Sequence, residues 1–147
     1  MNRTMNRTTV VALLVVAVAL LLVSGVVLAK TITCTAGVTC TGTKKADQIT
    51  GSFDADIIKA RGGDDTIDGG NGSDTINGGG GNDTITDIGN VPDVDTIFGG
   101  KGNDIIDVRE GAALNDTPDF VDCGPGTDTV FVDPTDTRLN CEILNPN

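Results

Sequence analysis

From residue 42 to residue 140 the chain keeps one apolar beat. Ile49, Ile58, Ile67, Ile76 and Ile85 follow one another every nine residues, and Ile97, Ile106, Val121, Val130 and Leu139 carry the series on. Nearly everything between them is polar or glycine. One apolar residue in nine excludes an amphipathic helix, which needs three or four per two turns. The spacing instead predicts very short strands in which only the middle residue points inward. Thr-Ile-Asp at 66–68, Thr-Ile-Asn at 75–77 and Thr-Ile-Thr at 84–86 suit such strands, because Ile and Thr favour the pleated backbone. Each strand is preceded by six residues rich in glycine, which turns the chain where other residues would clash. A nonapeptide is then a loop plus a strand, or half a coil. Coils of 18 residues would stack at the parallel-strand spacing of about 4.8 Å, with loops on two opposed edges and aliphatics in two facing ladders.

A second series runs two residues ahead of the first. Asp47, Asp56, Asp65, Asp74 and Asp83 are nine apart; Asp95 and Asp104 resume after a short insertion, and Asp119 and Asp128 after a longer one. Thr137 breaks the acidic series, while Leu139 is expected to continue the aliphatic ladder. Of 21 acidic residues only Glu110 and Glu142 are glutamate. A solvated charged face would use both acids, so this bias points to short carboxylates held against turn backbone, as caps or as ligands. Stacked coils would set Asp56 under Asp74 and Asp65 under Asp83. Two carboxylates about 5 Å apart repel by about 3 kcal/mol at an effective dielectric of ~20. A hard cation between the loops reverses the sign, taking six to eight oxygens from carboxylates and from carbonyls that glycine leaves accessible.

Composition narrows the class further. Aromatics are 3% of the chain and His is absent, with 20 Gly and a net charge of −11. A bulky core is excluded, and so large a negative charge repels nucleic acid and anionic membranes. Without His, and with Ser24, Ser52 and Ser73 outside any nucleophile motif, catalysis has little to stand on. Asp64 and Asp65 could form an acid–base pair on a glycan, but their place inside a loop makes ligation the better reading. The protein is therefore expected not to be an enzyme.

The ends read differently from the middle. Arg3 and Arg7 precede an apolar run from Val10 to Leu28, then Ala29-Lys30. This pattern predicts an export segment over residues 1–29, either a cleaved signal peptide or an uncleaved membrane anchor. Either would place the rest outside the cell, secreted or tethered. Four Cys in an exported chain read as two disulfides. Cys123 and Cys141 share the first position of a nonapeptide and lie one coil apart, so they should stack within disulfide reach. Cys34 and Cys40 would then join across a short loop. Residues 30–41 are expected to form a cap with this Cys pair, 42–140 the stacked repeats and 141–147 a tail.

Residues 69–77, 78–86 and 99–107 all follow Gly-Gly-x-Gly-x-Asp-x-aliphatic-x, and 60–68 nearly does. This pattern resembles the RTX, or haemolysin-type, calcium-binding repeat family. The ending Asp-Cys-Gly-Pro-Gly-Thr-Asp-Thr-Val-Phe-Val-Asp at 122–133 also resembles that of small secreted calcium-binding proteins of this kind. The resemblance implies an all-β, right-handed parallel β-roll (β-solenoid) and several Ca2+ ions, each shared between loops two repeats apart. The implied ligands are Asp47, Asp56, Asp65, Asp74, Asp83, Asp95 and Asp104. Backbone carbonyls of Gly62, Gly63, Gly69, Gly70, Gly72, Gly78, Gly79, Gly81, Gly99, Gly100 and Gly102 complete them. The best-formed sites would pair Asp56 with Asp74 and Asp65 with Asp83, then Asp74 with Asp95 and Asp83 with Asp104. Asp54 replaces the third glycine of its loop, and the insertions before Asp95 and Asp119 disturb the later sites. Proteins of this family usually leave the cell on a C-terminal signal, whereas this chain carries its export pattern at the N-terminus.

The function expected is calcium binding by an exported single roll acting as a monomer, with folding coupled to the metal. A cell-surface or matrix partner is left open. Adhesion or an envelope structural role is the alternative, and ice binding by outward Thr66, Thr75, Thr84, Thr96 and Thr129 a remoter one.

Overall fold

The computed structural model describes residues 29–89, 93–110 and 117–144. The expected export segment lies outside them apart from Ala29, and so do the last three residues of the expected tail. No helix among the described residues is long and apolar enough to cross a membrane.

The fold is an all-β parallel β-solenoid. Its strands are β1 (Lys30–Thr33), β2 (Cys40–Thr41), β3 (Asp47–Thr50), β4 (Ile57–Lys59), β5 (Thr66–Asp68), β6 (Thr75–Gly80) and β7 (Thr84–Thr86). They continue as β8 (Thr96–Lys101), β9 (Ile105–Asp107), β10 (Phe120–Asp122), β11 (Thr129–Phe131), β12 (Thr137–Leu139) and β13 (Ile143–Leu144). Odd strands form one sheet of seven and even strands a second of six, every pair parallel. Consecutive strands thus alternate between faces, as one apolar residue per half-coil requires. Ile49, Ile67, Ile85, Ile106 and Val130 align in one sheet, and Ile58, Ile76, Ile97 and Val121 in the other. All are buried. The residues expected as a cap, 30–41, form a coil of their own, because β1 pairs with β3 and β2 with β4.

The first position of the repeat also faces inward. Ala60, Val108 and Cys123 occupy it and are fully buried. The core is therefore two aliphatic columns plus a flanking column of small residues.

Both insertions fall on one edge. The loops before β4, β6, β8, β10 and β12 make that edge, and the coil offset there rises from 18 residues to 21 and then 24. On the opposite edge the loops before β5 and β11 have six residues, and those before β7 and β9 have three because β6 and β8 run on to Gly80 and Lys101. The longer offsets leave strand pairing intact, so Ile76 still faces Ile97 and Ile97 still faces Val121.

Leu139 does not join the aliphatic ladder. β12 pairs Val121 with Arg138 and Asp122 with Leu139, and Leu139 is 49% exposed. The loop from Val132 to Asp136 is one residue short, and a one-residue shift turns a strand's side chains to the opposite face. The same shift keeps the acidic series alive. Asp136, not Thr137, takes the acidic place, its Oδ1 accepting from the Asp119 N–H at 3.0 Å.

Both disulfides join the expected cysteines. Cys34–Cys40 has a Cα separation of 5.4 Å and Cys123–Cys141 one of 5.2 Å. The second does not link equivalent positions, however. The N–H of Cys123 donates to the Leu139 carbonyl, and the last coil closes early, Asp128 N–H donating to Glu142 Oε2 with an offset of 14 residues. Cys141 reaches Cys123 because the final turn is short.

Candidate metal centre

The sixth-position aspartates point into the corner between loop and strand. Asp47, Asp56, Asp65, Asp74, Asp83, Asp95 and Asp104 are all 3% exposed or less. In a strand that alternates in and out, a buried aliphatic at the eighth position places the sixth inside as well. A carboxylate placed there needs partners, and the stack provides one. The Asp47 N–H donates to Asp65 Oδ1 at 2.7 Å, Asp56 to Asp74 at 2.7 Å, and Asp65 to Asp83 at 2.8 Å. Asp74 donates to Asp95 at 2.7 Å and Asp83 to Asp104 at 2.8 Å. Asp95 to Asp119 and Asp104 to Asp128 extend the two ladders. All four expected pairs are thus brought together, each through a backbone N–H rather than by carboxylates facing each other in water.

The other carboxylate oxygen is left over. Oδ2 of Asp65, Asp74, Asp83, Asp104 and Asp128 and Oδ1 of Asp56 are sealed from water with no hydrogen-bond partner among the described residues. Burial is the main cause that pushes the carboxyls of Asp65, Asp83, Asp95 and Asp104 up to about 6 and those of Asp74 and Asp119 to about 7. Neighbouring carboxylates add to the rise, and the backbone N–H bonds only partly offset it. A buried anion with a free oxygen must be neutralised by a proton or a cation.

The space beside these oxygens suits a cation. A Cβ built on Gly78 would lie 2.6 Å from Asp83 Oδ2 and 2.6 Å from the Gly99 carbonyl oxygen. One built on Gly99 would lie 2.7 Å from Asp104 Oδ2 and 2.6 Å from the Cys123 carbonyl oxygen. Glycine here keeps a carboxylate and a carbonyl close together. At the second and fourth positions the loops stack with carbonyls aimed at the next coil, so that Gly79 and Gly81 carbonyls approach the α-carbons of Gly100 and Gly102. These glycines have φ of 109° and 129°, which other residues rarely adopt. The donor set is oxygen only, short carboxylates and carbonyls, which fits calcium.

The first loop on each edge is different. Ser52 N–H donates to Asp56 Oδ2 at 2.6 Å, and Thr43 N–H to Asp47 Oδ2 at 2.5 Å. Each aspartate caps its own loop, and Asp54 is held in the same closed turn through the Ser52 hydroxyl. The loops of Asp83 and Asp104, both complete repeats on the regular edge, leave their oxygens open instead.

Some groups escaped the periodic reading. On the regular edge a second ladder runs at the fifth position: Asn82 N–H to Asp64 Oδ1, Asn103 N–H to Asn82 Oδ1, and Thr127 N–H to Asn103 Oδ1. The recurring Asn-Asp pairs at 82–83 and 103–104 were its signal. On the other edge Asp87 and Asp93 lie in a lengthened loop, Asp87 at a first position where the repeat has glycine and Asp93 at no position the repeat defines. Asp74, Asp87 and Asp95 each offer a carboxylate oxygen within 4.8 Å of the others, and all three are buried. Burial, with the charges of Asp95, Asp74, Asp93 and Asp119, pushes Asp87 up to about 9.

Stacked parallel strands, with oxygen-lined columns down both edges, define a repeat protein of the β-solenoid class built to hold cations. A family model for the RTX calcium-binding nonapeptide repeat (4 copies) matches residues 41–76, 50–85 and 93–112. The repeats within residues 41–85 and 93–112 are repeats of that family. No curated protein and no solved structure matches the chain.

Proposed function

We propose that the chain is an exported, non-enzymatic calcium-binding roll whose ions hold its loops together. The observation that carries this reading is the column of buried carboxylate oxygens without partners, set against glycine α-carbons where no side chain could stand. On the regular edge Asp65, Asp83 and Asp104 would hold ions, with carbonyls among Gly62, Gly63, Gly78, Gly79, Gly81, Gly99, Gly100 and Gly102. On the inserted edge Asp56, Asp74 and Asp95 would do so with carbonyls among Gly69, Gly70 and Gly72. Asp47, which caps its own loop, is the weakest member of the set. Bound calcium would neutralise the stacked carboxylates and bridge one coil to the next. The export pattern at residues 1–29 supports action outside the cell, where calcium is plentiful.

No observation favours a second reading. The outward row of one sheet runs Gln48, Thr66, Thr84, Ile105, Thr129, and of the other Ile57, Thr75, Thr96, Phe120, Thr137. Each of these rows has only two adjacent threonines before an apolar residue interrupts, too few for an ice-matching array.

Circular dichroism of the chain in EGTA and during calcium addition tests the proposal. Strand signal and a cooperative thermal transition should appear as calcium rises. A spectrum that does not change across the titration sinks it.

A further inference from the structure

Asp87 and residues 93–95 stack on the loop from 69 to 74, with Asp87 where the repeat places glycine. Asp87 keeps the inward direction of that position and is 2% exposed. Its carboxylate occupies the space directly over Gly69, since a Cβ added there would come within 2.6 Å of the carboxyl carbon and both oxygens. Only glycine at 69 leaves room for it. Two observations mark this place as more than an acidic cluster. Asp87 Oδ2 and Asp74 Oδ2 are both sealed from water without a hydrogen-bond partner among the described residues, and oxygens of Asp74, Asp87 and Asp95 converge within 4.8 Å. Asp93, from the same inserted loop, adds a further buried oxygen, Oδ1, while its Oδ2 is held by the Gly72 N–H at 2.6 Å.

We propose that Asp87, standing in place of the repeat's first glycine, is a metal ligand that turns the Asp74–Asp95 pair into a three-carboxylate site for a hard cation and the tightest calcium site of the roll. The inference rests on the calcium reading above and adds a residue that the repeat does not contain. Affinity of an oxygen site rises with the number of charged ligands. The other stacked pairs of the roll bring two sixth-position carboxylates together; this one brings three, with Asp93 anchored to the loop beneath.

The test is calcium titration calorimetry on the full chain, with native mass spectrometry to count bound ions, for the wild type, Asp87→Asn and Asp87→Gly. Asparagine keeps the shape and removes the charge; glycine is the repeat's own residue at this position. Both variants should hold one ion fewer, or bind their tightest ion about tenfold or more weakly, with the remaining binding steps unchanged. Variants that match the wild type in ion count and in every affinity would overturn the inference and leave calcium binding intact. A wild type that binds no calcium would overturn both readings. If Asp87→Asn fails to fold in calcium, Asp87→Gly decides alone: unchanged binding by it refutes the role of Asp87.

Discussion

Arg61 stands at the second position of its loop with φ of 82°, where Gly70, Gly79, Gly100 and Gly124 stand in later loops with φ of 106°, 105°, 109° and 90°. A residue with a Cβ is strained in that region by about 1–2 kcal/mol, and glycine is not. Arg61→Gly is therefore expected to stabilise the calcium-loaded roll by about 1 kcal/mol, after the greater entropy of an unfolded glycine is set against the relief. Urea unfolding of both proteins in calcium checks it, and a destabilised variant would show that the guanidinium contributes more than the backbone loses. The period made the second position recognisable as a glycine place. That residue 61 adopts the same turn without glycine is visible only in the folded backbone, because neighbouring coils dictate its φ.

At the scale of the strand, the contrast between Ile85 and Leu139 tests the register. Both fall on the aliphatic beat of the sequence. Ile85 is fully buried in β7 between Ile67 and Ile106, whereas Leu139 faces outward from β12. Ile85→Ala should cost about 2–5 kcal/mol through lost burial and the cavity left behind. Leu139→Ala should change stability by about 0.5 kcal/mol or less. Thermal unfolding in calcium separates the two, and equal losses would mean that β12 pairs in the other register. The strands from 47 to 131 were legible in the sequence because two series, acid and aliphatic, kept the same phase. At 132–136 one residue is missing, and the two series then disagree: Asp136 follows the shortened loop while Leu139 follows the old count. Hydrogen bonding to Asp136 settled the phase, since a buried N–H of Asp119 needs an acceptor more than an edge strand needs one aliphatic contact.

For the whole molecule, the raised carboxyls make proton and calcium alternative ways of neutralising one interior. In the metal-free chain Asp65, Asp83, Asp95 and Asp104 stand at about 6, Asp74 and Asp119 at about 7 and Asp87 at about 9, against an ordinary value of 3.8. A folded state with raised values binds more protons than the unfolded chain. The stability these groups contribute is present in full below about pH 4 and is lost as pH rises through 6 to 9. In EGTA, acidification from ~pH 8 to ~pH 5 should therefore raise the strand signal in circular dichroism. With calcium present the direction reverses, because protons compete for the same oxygens and the half-saturation concentration should rise as pH falls. A metal-free chain that loses strand signal on mild acidification would show that the buried carboxylates are neutralised in some other way.

The sequence by itself determined the solenoid, the inward aliphatics, the pairing of acids two repeats apart and the choice of cysteine partners. These follow from a constant period, since residues at equal phase must stack when the chain winds regularly. The tertiary structure decided what phase alone leaves open. It placed both insertions on one edge, so the complete loops of Asp83 and Asp104 stack undisturbed on the other. It gave Asp65, Asp74, Asp83, Asp95, Asp104, Asp119 and Asp128 each a backbone N–H from the coil before it, closed the final coil early around Glu142, and turned Asp87 toward Asp74 and Asp95. Insertions and deletions erase the count along the chain, and beyond them only the demand that buried polar groups find partners fixes where a residue sits.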